Sequence, residues 1–291
     1  MFVCPISQRP LEGWRTVEGR VYPLLDGIPV LTPDPHRFLA LHGPHAANPA
    51  ERKDPLPVDA PDLISPFLSP GRLGGPGSFG TWLSSIERTP AAVAAAWGSR
   101  LAPPGSALDI GCGLGEMAMR MVGQGRKTWA FDRSPRSVLL ARDLLFGHIR
   151  EAAWPQWRGG CTERPVPILP LRPGSLHLAI AEAEYPPFAP ESFAWVHLGN
   201  VVDIVEVGME AVVEAAASLL IPGGVLTLTT PYDLDLPSVP GGIDPQALLV
   251  DFLDELGMEI LEEADNVPWV MRQYDRGFRV LFNHCLAARI G

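Results

Sequence analysis

Three glycines stand within five residues in the stretch ALDIGCGLGEMAMRM, which runs from 107 to 121. The stretch opens like a buried strand and closes with the apolar spacing of an amphipathic helix. Gly111, Gly113 and Gly115 let the backbone turn tightly and approach a ligand without hindrance from a Cβ. Such loops often hold nucleotides, but a tight turn that binds nothing has the same pattern. The glycines alone therefore indicate a site without naming its ligand.

An acidic residue downstream narrows the range of ligands that the glycine loop could bind. Asp132 closes the predicted strand KTWAFD, 17 residues after Gly115, and a carboxylate there can accept both ribose hydroxyls of an adenosine. The dinucleotide fingerprint is G-x-G-x-x-G, whereas this chain has G-x-G-x-G with Asp109 before it and Glu116 after it. Nearby carboxylates disfavour a pyrophosphate and suit a cofactor that carries an ammonium group. A nicotinamide enzyme is therefore the less favoured alternative.

Strands and helices alternate along the chain around these residues. Helices are predicted to begin after Thr89, Ser134 and Asp244, because each is a good N-cap followed by proline. Two more helices are predicted in EMAMRMVGQ and in GMEAVVEAAASLL, the second ended by PGG. The predicted strands are SALDI, KTWAFD, FAWVHLGNVV, VLTLTT and a closing pair, MEILEEA with FRVLFNHCLAARI. This alternation predicts an α/β fold with a mostly parallel sheet covered on both faces.

The N-terminal third differs in composition. Residues 1–35 predict a small β module, because GRVYPLLDGIPVLTP alternates apolar residues around an Asp-Gly turn. Residues 36–88 are rich in Pro and Gly and predict a linker or lid, so the catalytic domain is expected at 89–291. A second Pro-rich segment, at about 147–180, predicts an insertion.

Composition limits the partners. The net charge of −10 disfavours nucleic acid, since nucleic-acid binders usually carry a basic face. No apolar run approaches the roughly 18 residues that cross a membrane, and no signal peptide is recognisable. The four cysteines, Cys4, Cys112, Cys161 and Cys285, form no CxxC pair, which favours a reducing, cytoplasmic setting. We expect a small-molecule or peptide substrate and no membrane, and a homodimer is a candidate assembly.

Four motifs in order resemble the class I S-adenosylmethionine-dependent methyltransferases, of the type 11-like kind. LDIGCGLGEMA is similar to their first motif and FDRSPRSV to their second. AEAEYPPFAPESFAWVHLGNVVD resembles the stretch GDAxxLPFxxxSFDxV, and ASLLIPGGVLTLTTP resembles xxLKPGGxLxLxxP. The resemblance covers 105–230. It implies a Rossmann-like, doubly wound, seven-stranded sheet and S-adenosyl-L-methionine as cofactor.

The resemblance also implies a set of cofactor-binding residues. Asp132 matches the ribose-binding acid, and Glu182 stands where an acid meets the adenine amino group, with a solvated loop acid as its alternative. Arg133 and Ser134 offer backbone amides near the adenosine or simply cap a helix. The implied set is Asp109, Gly111, Cys112, Gly113, Gly115, Asp132, Arg133, Ser134, Glu182 and Asn200. Cys112 is interpreted as a small loop residue and not as a nucleophile.

The N-terminal segment CPISQRPLEG…RVYPLLDGIPVL resembles a small zinc-ribbon domain found on some methyltransferases. Four soft ligands normally hold that zinc, but here only Cys4 remains, and Ser7 stands where a second cysteine would be. One thiolate cannot hold a structural zinc. We expect a metal-free module that packs on the catalytic domain or on a second subunit.

The methyl acceptor leaves the weakest signal, because in-line displacement from a sulfonium depends mainly on positioning. Loops at strand ends suggest Asp203, Tyr232 and Tyr274 as catalytic residues. The segment DNVPWVMRQYDRGFRV is predicted to join the last two strands, and His284 is expected to be a satisfied core histidine. The tail faintly resembles mercaptohistidine and carnosine N-methyltransferases, which implies an imidazole or a similar heteroatom of a small molecule or peptide as acceptor. The alternatives are an RNA- or protein-modifying methyltransferase and a non-catalytic binding subunit of this fold.

Overall fold

The computed structural model describes residues 2–46, 88–148, 151–155, 163–167, 176–205, 207–233, 244–274 and 277–291. The strands are β1 (Leu24–Leu25), β2 (Ile28–Pro29), β3 (Ala107–Ile110), β4 (Thr128–Asp132), β5 (Glu151–Pro155), β6 (Glu163–Pro167), β7 (Leu176–Ile180), β8 (Phe193–Gly199), β9 (Leu220–Thr230), β10 (Met258–Tyr274) and β11 (Gly277–Ile290). The helices are α1 (Pro35–Ala46), α2 (Pro90–Leu101), α3 (Glu116–Gly123), α4 (Pro135–Leu145), α5 (Met209–Ser218) and α6 (Pro245–Glu255).

Seven strands form the central sheet in the order β10-β11-β9-β8-β3-β4-β7. Five neighbouring strands are parallel, in the order β9, β8, β3, β4 and β7. Strand β11 lies between β9 and β10 and runs antiparallel to both. The inner strand β3 is buried along its whole length, as a parallel strand covered on both faces must be. The expected Rossmann-like, doubly wound, seven-stranded sheet is confirmed.

The predicted helix starts are confirmed by their caps. The Thr89 side chain accepts a hydrogen bond from the backbone N–H of Ala92, and Pro90 occupies the first helical position of α2. Ser134 caps α4 in the same way, and Asp244 caps α6. In each case a side-chain oxygen satisfies a backbone donor that would otherwise lack a partner at the helix end.

Three sequence predictions are corrected at the strands. PGG lies within β9 and does not end α5, which closes at Ser218. Residues 176–180, assigned from sequence to an insertion, form the edge strand β7, and the antiparallel hairpin β5–β6 precedes it. The segment predicted to join the last strands belongs almost entirely to them, because β10 continues to Tyr274 and β11 begins at Gly277. Antiparallel pairing, once begun, continues through three register shifts to the hairpin tip.

The N-terminal module packs on the domain that contains the seven-stranded sheet, which is one of the two arrangements expected from the sequence. Val30 pairs in parallel with Ile180, and Leu31 N–H donates to the Ile180 carbonyl at 2.7 Å. Cys4 and Tyr22 lie in the main core cluster, with the Cys4 sulfur 3.0 Å from the Tyr22 hydroxyl. The module therefore covers the edge of β7, which would otherwise expose unpaired backbone groups. The resemblance of this module to a zinc ribbon is not confirmed.

Helix α1 occupies the beginning of the predicted linker. Its residue Phe38 is buried in a cluster with Val138 and Leu139 of α4. The rest of that linker, 47–87, lies outside the described residues, as does Cys161. Cys4, Cys112 and Cys285 are buried free thiols. No described helix has the length and apolar character needed to cross a membrane.

Candidate cofactor and acceptor site

The glycine loop joins β3 to α3 at the carboxyl edge of the sheet, where open α/β sheets bind ligands. A Cβ built on Gly111 would lie 2.2 Å from Cγ2 of Val201, so this glycine allows close packing of the loop against the segment after β8. Gly115 similarly approaches Leu145. Gly113 differs, because a Cβ there would meet no described atom within 4 Å. Gly113 is therefore the loop residue that borders open space.

Asp132 holds this loop from the end of β4. Its Oδ2 accepts a hydrogen bond from Gly113 N–H at 2.8 Å, and its Oδ1 accepts one from Ser134 N–H at 2.8 Å. Desolvation by burial raises the pKa of Asp132. Each carboxylate oxygen has two lone-pair positions, so an acceptor position remains on each. These are the positions that two ribose hydroxyls would need.

Asp109 and Cys112, both predicted to bind cofactor, face the protein interior. Asp109 is 2% exposed, and its Oδ2 accepts from Ala118 N–H at 3.0 Å, which ties β3 to α3. Burial raises the pKa of Asp109 to about 8. Cys112 packs among buried apolar side chains, and burial raises the pKa of its thiol well above the ordinary value. Short-range spacing predicted their place at or beside the glycine loop but could not predict which way their side chains point.

Glu182 and Arg133 follow the neighbouring strands β7 and β4. The two strands are joined just beyond their ends, where Ala181 N–H donates to the Asp132 carbonyl at 3.1 Å. Desolvation by burial raises the pKa of Glu182; the charge of Glu184 adds to this, and that of Arg133 opposes it. Ser134 caps α4 through its hydroxyl, which agrees with its interpretation as a helix cap. These predicted residues therefore lie next to Asp132.

Asn200 connects the glycine loop to the antiparallel strands. It adopts a left-handed backbone (φ 55°) after β8, directly before the Val201 that packs on Gly111. Its side-chain oxygen accepts hydrogen bonds from the Thr229 hydroxyl and from the Asn283 amide. Asn283 is fully buried, and its own amide oxygen has no hydrogen-bond partner among the described residues.

Two of the three predicted catalytic residues come together through Thr230. The Thr230 hydroxyl donates to Oδ1 of Asp203 at 3.4 Å and accepts from Tyr232 N–H at 3.0 Å. Asp203 is 8% exposed. Tyr274 is elsewhere, because it pairs with Gly277 at the tip of the hairpin. That tip is seven residues along β11 from His284, or about 20 Å at the usual rise of a strand.

His284 joins this group, although the sequence suggested only a core role. It is 1% exposed and both ring nitrogens are paired, which confirms a buried, satisfied histidine. Both of its partners, however, are side chains that can exchange protons. Nδ1 lies 2.8 Å from the Tyr232 hydroxyl, and Nε2 lies 2.9 Å from Oε1 of Glu263. The only sequence signal was a histidine in a strand beside polar Asn283. No feature of the sequence pointed to Glu263, which lies on β10.

A family profile described as a methyltransferase domain matches residues 84–275, which is more than half of the chain. No curated protein sequence matches the chain. Solved structures similar to it include a SAM-dependent methyltransferase of Methanosarcina mazei (15% identity, 64% of this chain and 92% of the other, TM-score 0.45). Precorrin-6y C5,15-methyltransferase of Geobacter metallireducens is another (18%, 69% and 87%, TM-score 0.44).

Magnesium protoporphyrin IX methyltransferase of Synechocystis, solved with bound SAM, is a third (14% identity, 80% and 98%, TM-score 0.45). The profile match carries the assignment, and the strand order agrees with it. The chain belongs to the methyltransferase-domain family and has the class I methyltransferase fold, whose cofactor is S-adenosylmethionine.

Proposed function

We propose that this protein transfers a methyl group from S-adenosylmethionine to a heteroatom of a small molecule or peptide, with an imidazole nitrogen as the favoured acceptor. The observation that carries the proposal is the Asp132 carboxylate. It accepts hydrogen bonds from the N–H groups of Gly113 and Ser134 and keeps one further hydrogen-bond acceptor position on each oxygen. A decayed, non-catalytic site would have no need to keep this arrangement.

The residues present fit the cofactor. Asp132 would hold the ribose hydroxyls, Glu182 would accept from the adenine amino group, and Gly113 leaves space at the loop. Asp109 supports the loop from below. When bound, the cofactor supplies a sulfonium methyl group for in-line attack by the acceptor.

The acceptor side is assigned to the ends of β8 and β9. Tyr232 is the candidate catalytic residue, with Asp203 positioning it through Thr230. Tyr274 is not part of this group, because the register of β10 and β11 takes it to the hairpin tip. A neutral imidazole is itself nucleophilic, and a tyrosine hydroxyl can orient it through its other nitrogen. The net charge of −10 supports a small acceptor over a nucleic acid.

Calorimetric titration with S-adenosylmethionine and S-adenosylhomocysteine tests the cofactor site. We expect wild-type binding and a loss of about 100-fold or more in Asp132→Ala, because charge-assisted hydrogen bonds contribute about 1.5–3 kcal/mol each. Asp251→Ala, which removes an exposed carboxylate from α6, is the matched control and should bind like wild type. A folded wild-type protein that bound neither compound would overturn the proposal.

A further inference from the structure

We propose that Tyr232, His284 and Glu263 form a proton relay that accepts the proton of the methyl acceptor and delivers it to solvent. This inference rests on the proposed function. Tyr232 is its catalytic residue, since its hydroxyl would contact the acceptor, whereas His284 and Glu263 are positioning residues that act through Tyr232. The three residues come from β10, β11 and the segment after β9.

The geometry joins the three side chains in one line. The Tyr232 hydroxyl lies 2.8 Å from His284 Nδ1, and His284 Nε2 lies 2.9 Å from Glu263 Oε1. The Tyr232 and His284 rings are stacked, with centroids 5.9 Å apart and planes 23° from parallel. His284 is 1% exposed, whereas the Glu263 side chain is 48% exposed. The line therefore runs from a half-buried hydroxyl through a buried imidazole to a carboxylate in water.

The chemistry of the partners decides the direction of the line. An ionised Glu263 only accepts hydrogen bonds, so His284 must donate from Nε2. A neutral imidazole protonated at Nε2 has Nδ1 as its acceptor, and Tyr232 then donates its hydroxyl proton to Nδ1. Burial, together with the charges of Asp244, Asp265 and Glu263, raises the pKa of Tyr232, so the phenol keeps its proton. The lone pairs of its oxygen remain available for an acceptor N–H or O–H.

The backbone at Tyr232 supports a functional role. Tyr232 has φ 53°, a left-handed conformation that is rare for a bulky side chain. Strained positions of this kind persist only where the surroundings hold them, and they concentrate at functional sites. Here the Asp203–Thr230 pair holds the Tyr232 N–H.

The proton balance of the step closes within these residues. As one nitrogen of the imidazole acceptor gains the methyl group, the proton on its other nitrogen moves to the Tyr232 oxygen, and the Tyr232 proton moves to His284 Nδ1. His284 becomes an imidazolium paired with the Glu263 carboxylate. Glu263 stabilises this imidazolium. After the product leaves, the Tyr232 hydroxyl gives the acceptor's proton to water and takes its own proton back from Nδ1, which restores neutral His284 with its proton on Nε2. No oxidant or further reactant is required.

Nitrogen-15 NMR of histidine-labelled protein in complex with S-adenosylhomocysteine tests the relay without an acceptor. We expect His284 to be neutral and protonated at Nε2 at pH 7, and Tyr232→Phe to shift the Nδ1 resonance toward that of a nitrogen without a hydrogen-bond donor. Tyr185→Phe, which removes the hydroxyl of an exposed tyrosine, is the matched control and should leave both nitrogens unchanged. Protonation at Nδ1, or an imidazolium at pH 7, would overturn the relay.

Methyl transfer from tritiated S-adenosylmethionine to imidazole and to L-histidine gives a second readout. We expect Tyr232→Phe and His284→Gln to lower kcat/KM about 100-fold or more, the usual contribution of a general base. Their affinity for S-adenosylhomocysteine should stay within about twofold of wild type, because neither residue belongs to the glycine loop or contacts Asp132. Wild-type rates in a folded Tyr232→Phe would contradict the relay.

The two proposals fail in different ways. If wild type bound neither cofactor form, the proposed function would fall. If it bound S-adenosylhomocysteine but His284 had the opposite tautomer, only the relay would fall. If it bound cofactor and methylated neither compound, the imidazole acceptor would be wrong, and the tautomer would still decide the relay.

Discussion

The carboxyl edge of the sheet has two halves that are built differently: the proposed cofactor half at β3 and β4, and the proposed acceptor half at β8, β9 and β11. In the cofactor half, at β3 and β4, carboxylates accept hydrogen bonds from backbone N–H groups: Asp109 from Ala118, and Asp132 from Gly113 and Ser134. In the acceptor half, at β8, β9 and β11, side chains bond mainly to other side chains, as Tyr232 does to His284. The carboxylates of the first half fix the conformation of a loop. The side chains of the second half hold one another in place.

This difference explains why the residues of one half can be predicted from the sequence more readily than those of the other. The longest of those backbone contacts joins residues 19 apart, within one strand-loop-helix-strand unit. Tyr232 and His284 are 52 residues apart, and Asn200 and Asn283 are 83 apart. A local unit imposes residue spacing that a motif can capture. A contact between distant strands imposes none.

The largest effect expected concerns the pH dependence of the cofactor half. Burial raises the pKa of Asp109 to about 8, above the value of about 3.9 in an unfolded chain. Between these values the folded state holds a proton that the unfolded state has lost, so the stabilising contribution of Asp109 falls as pH rises. Without cofactor, Asp109→Asn should remove up to about 1.4 kcal/mol per pH unit of that dependence, as one proton requires.

Chemical denaturation of Asp109→Asn and wild type from pH 5 to pH 8 measures this prediction. The variant should gain stability relative to wild type as pH rises. Asp251→Asn, in which the carboxylate is exposed, should run parallel to wild type and serves as the control. If Asp109→Asn also ran parallel, the buried carboxylate would not be holding its proton.

A second prediction separates the glycines within the cofactor half. Gly111→Ala should cost about 3 kcal/mol of unfolding free energy, because the new Cβ would meet Val201 at 2.2 Å and the left-handed backbone adds strain. Gly113→Ala meets no described atom and should cost only the backbone strain, about 1–2 kcal/mol.

Denaturant titrations of both variants test this, with Gly111→Ala combined with Val201→Ala as the rescue. The double variant should recover part of the loss, since the smaller side chain gives the Cβ room. Equal losses for the two single variants would show that packing against Val201 does not distinguish them.

The smallest effect expected lies in the acceptor half. Thr230→Val keeps the shape of the side chain but leaves Asp203 and the Tyr232 N–H without their shared hydroxyl, which should cost about 1–2 kcal/mol of unfolding free energy. Its affinity for S-adenosylhomocysteine should stay within about twofold of wild type. Thr229→Val, the neighbour whose hydroxyl donates to Asn200, is the comparison variant.

Calorimetry and denaturation on the two threonine variants would sharpen the division between the halves. Thr229→Val is expected to weaken cofactor binding more than Thr230→Val, because Asn200 lies beside the glycine loop. The reverse order would mean that the acceptor half also supports the cofactor.

Much of the fold followed from local patterns. Helix starts at Thr89, Ser134 and Asp244 were predictable because a capping side chain and the proline after it act within three residues. The long hairpin of β10 and β11 was not, since its outer part is held by pairing between strands and its segment DNVPWVMRQYDRGFRV has the polar residues of a loop. The covered edge at β7 likewise depends on Val30 and Leu31, far away in the chain.

Short-range patterns in the amino-acid sequence were enough to predict alternating strands and helices, a glycine loop, and an acid at the end of the next strand. The class of the protein followed from the resemblance of four motifs to class I methyltransferases. Only the tertiary structure decided that Asp109 and Cys112 turn inward, that Tyr274 lies apart, and that Tyr232 meets His284 and Glu263. Side-chain direction and long-range contact depend on strand register and packing. No local pattern in the chain encodes either of these directly.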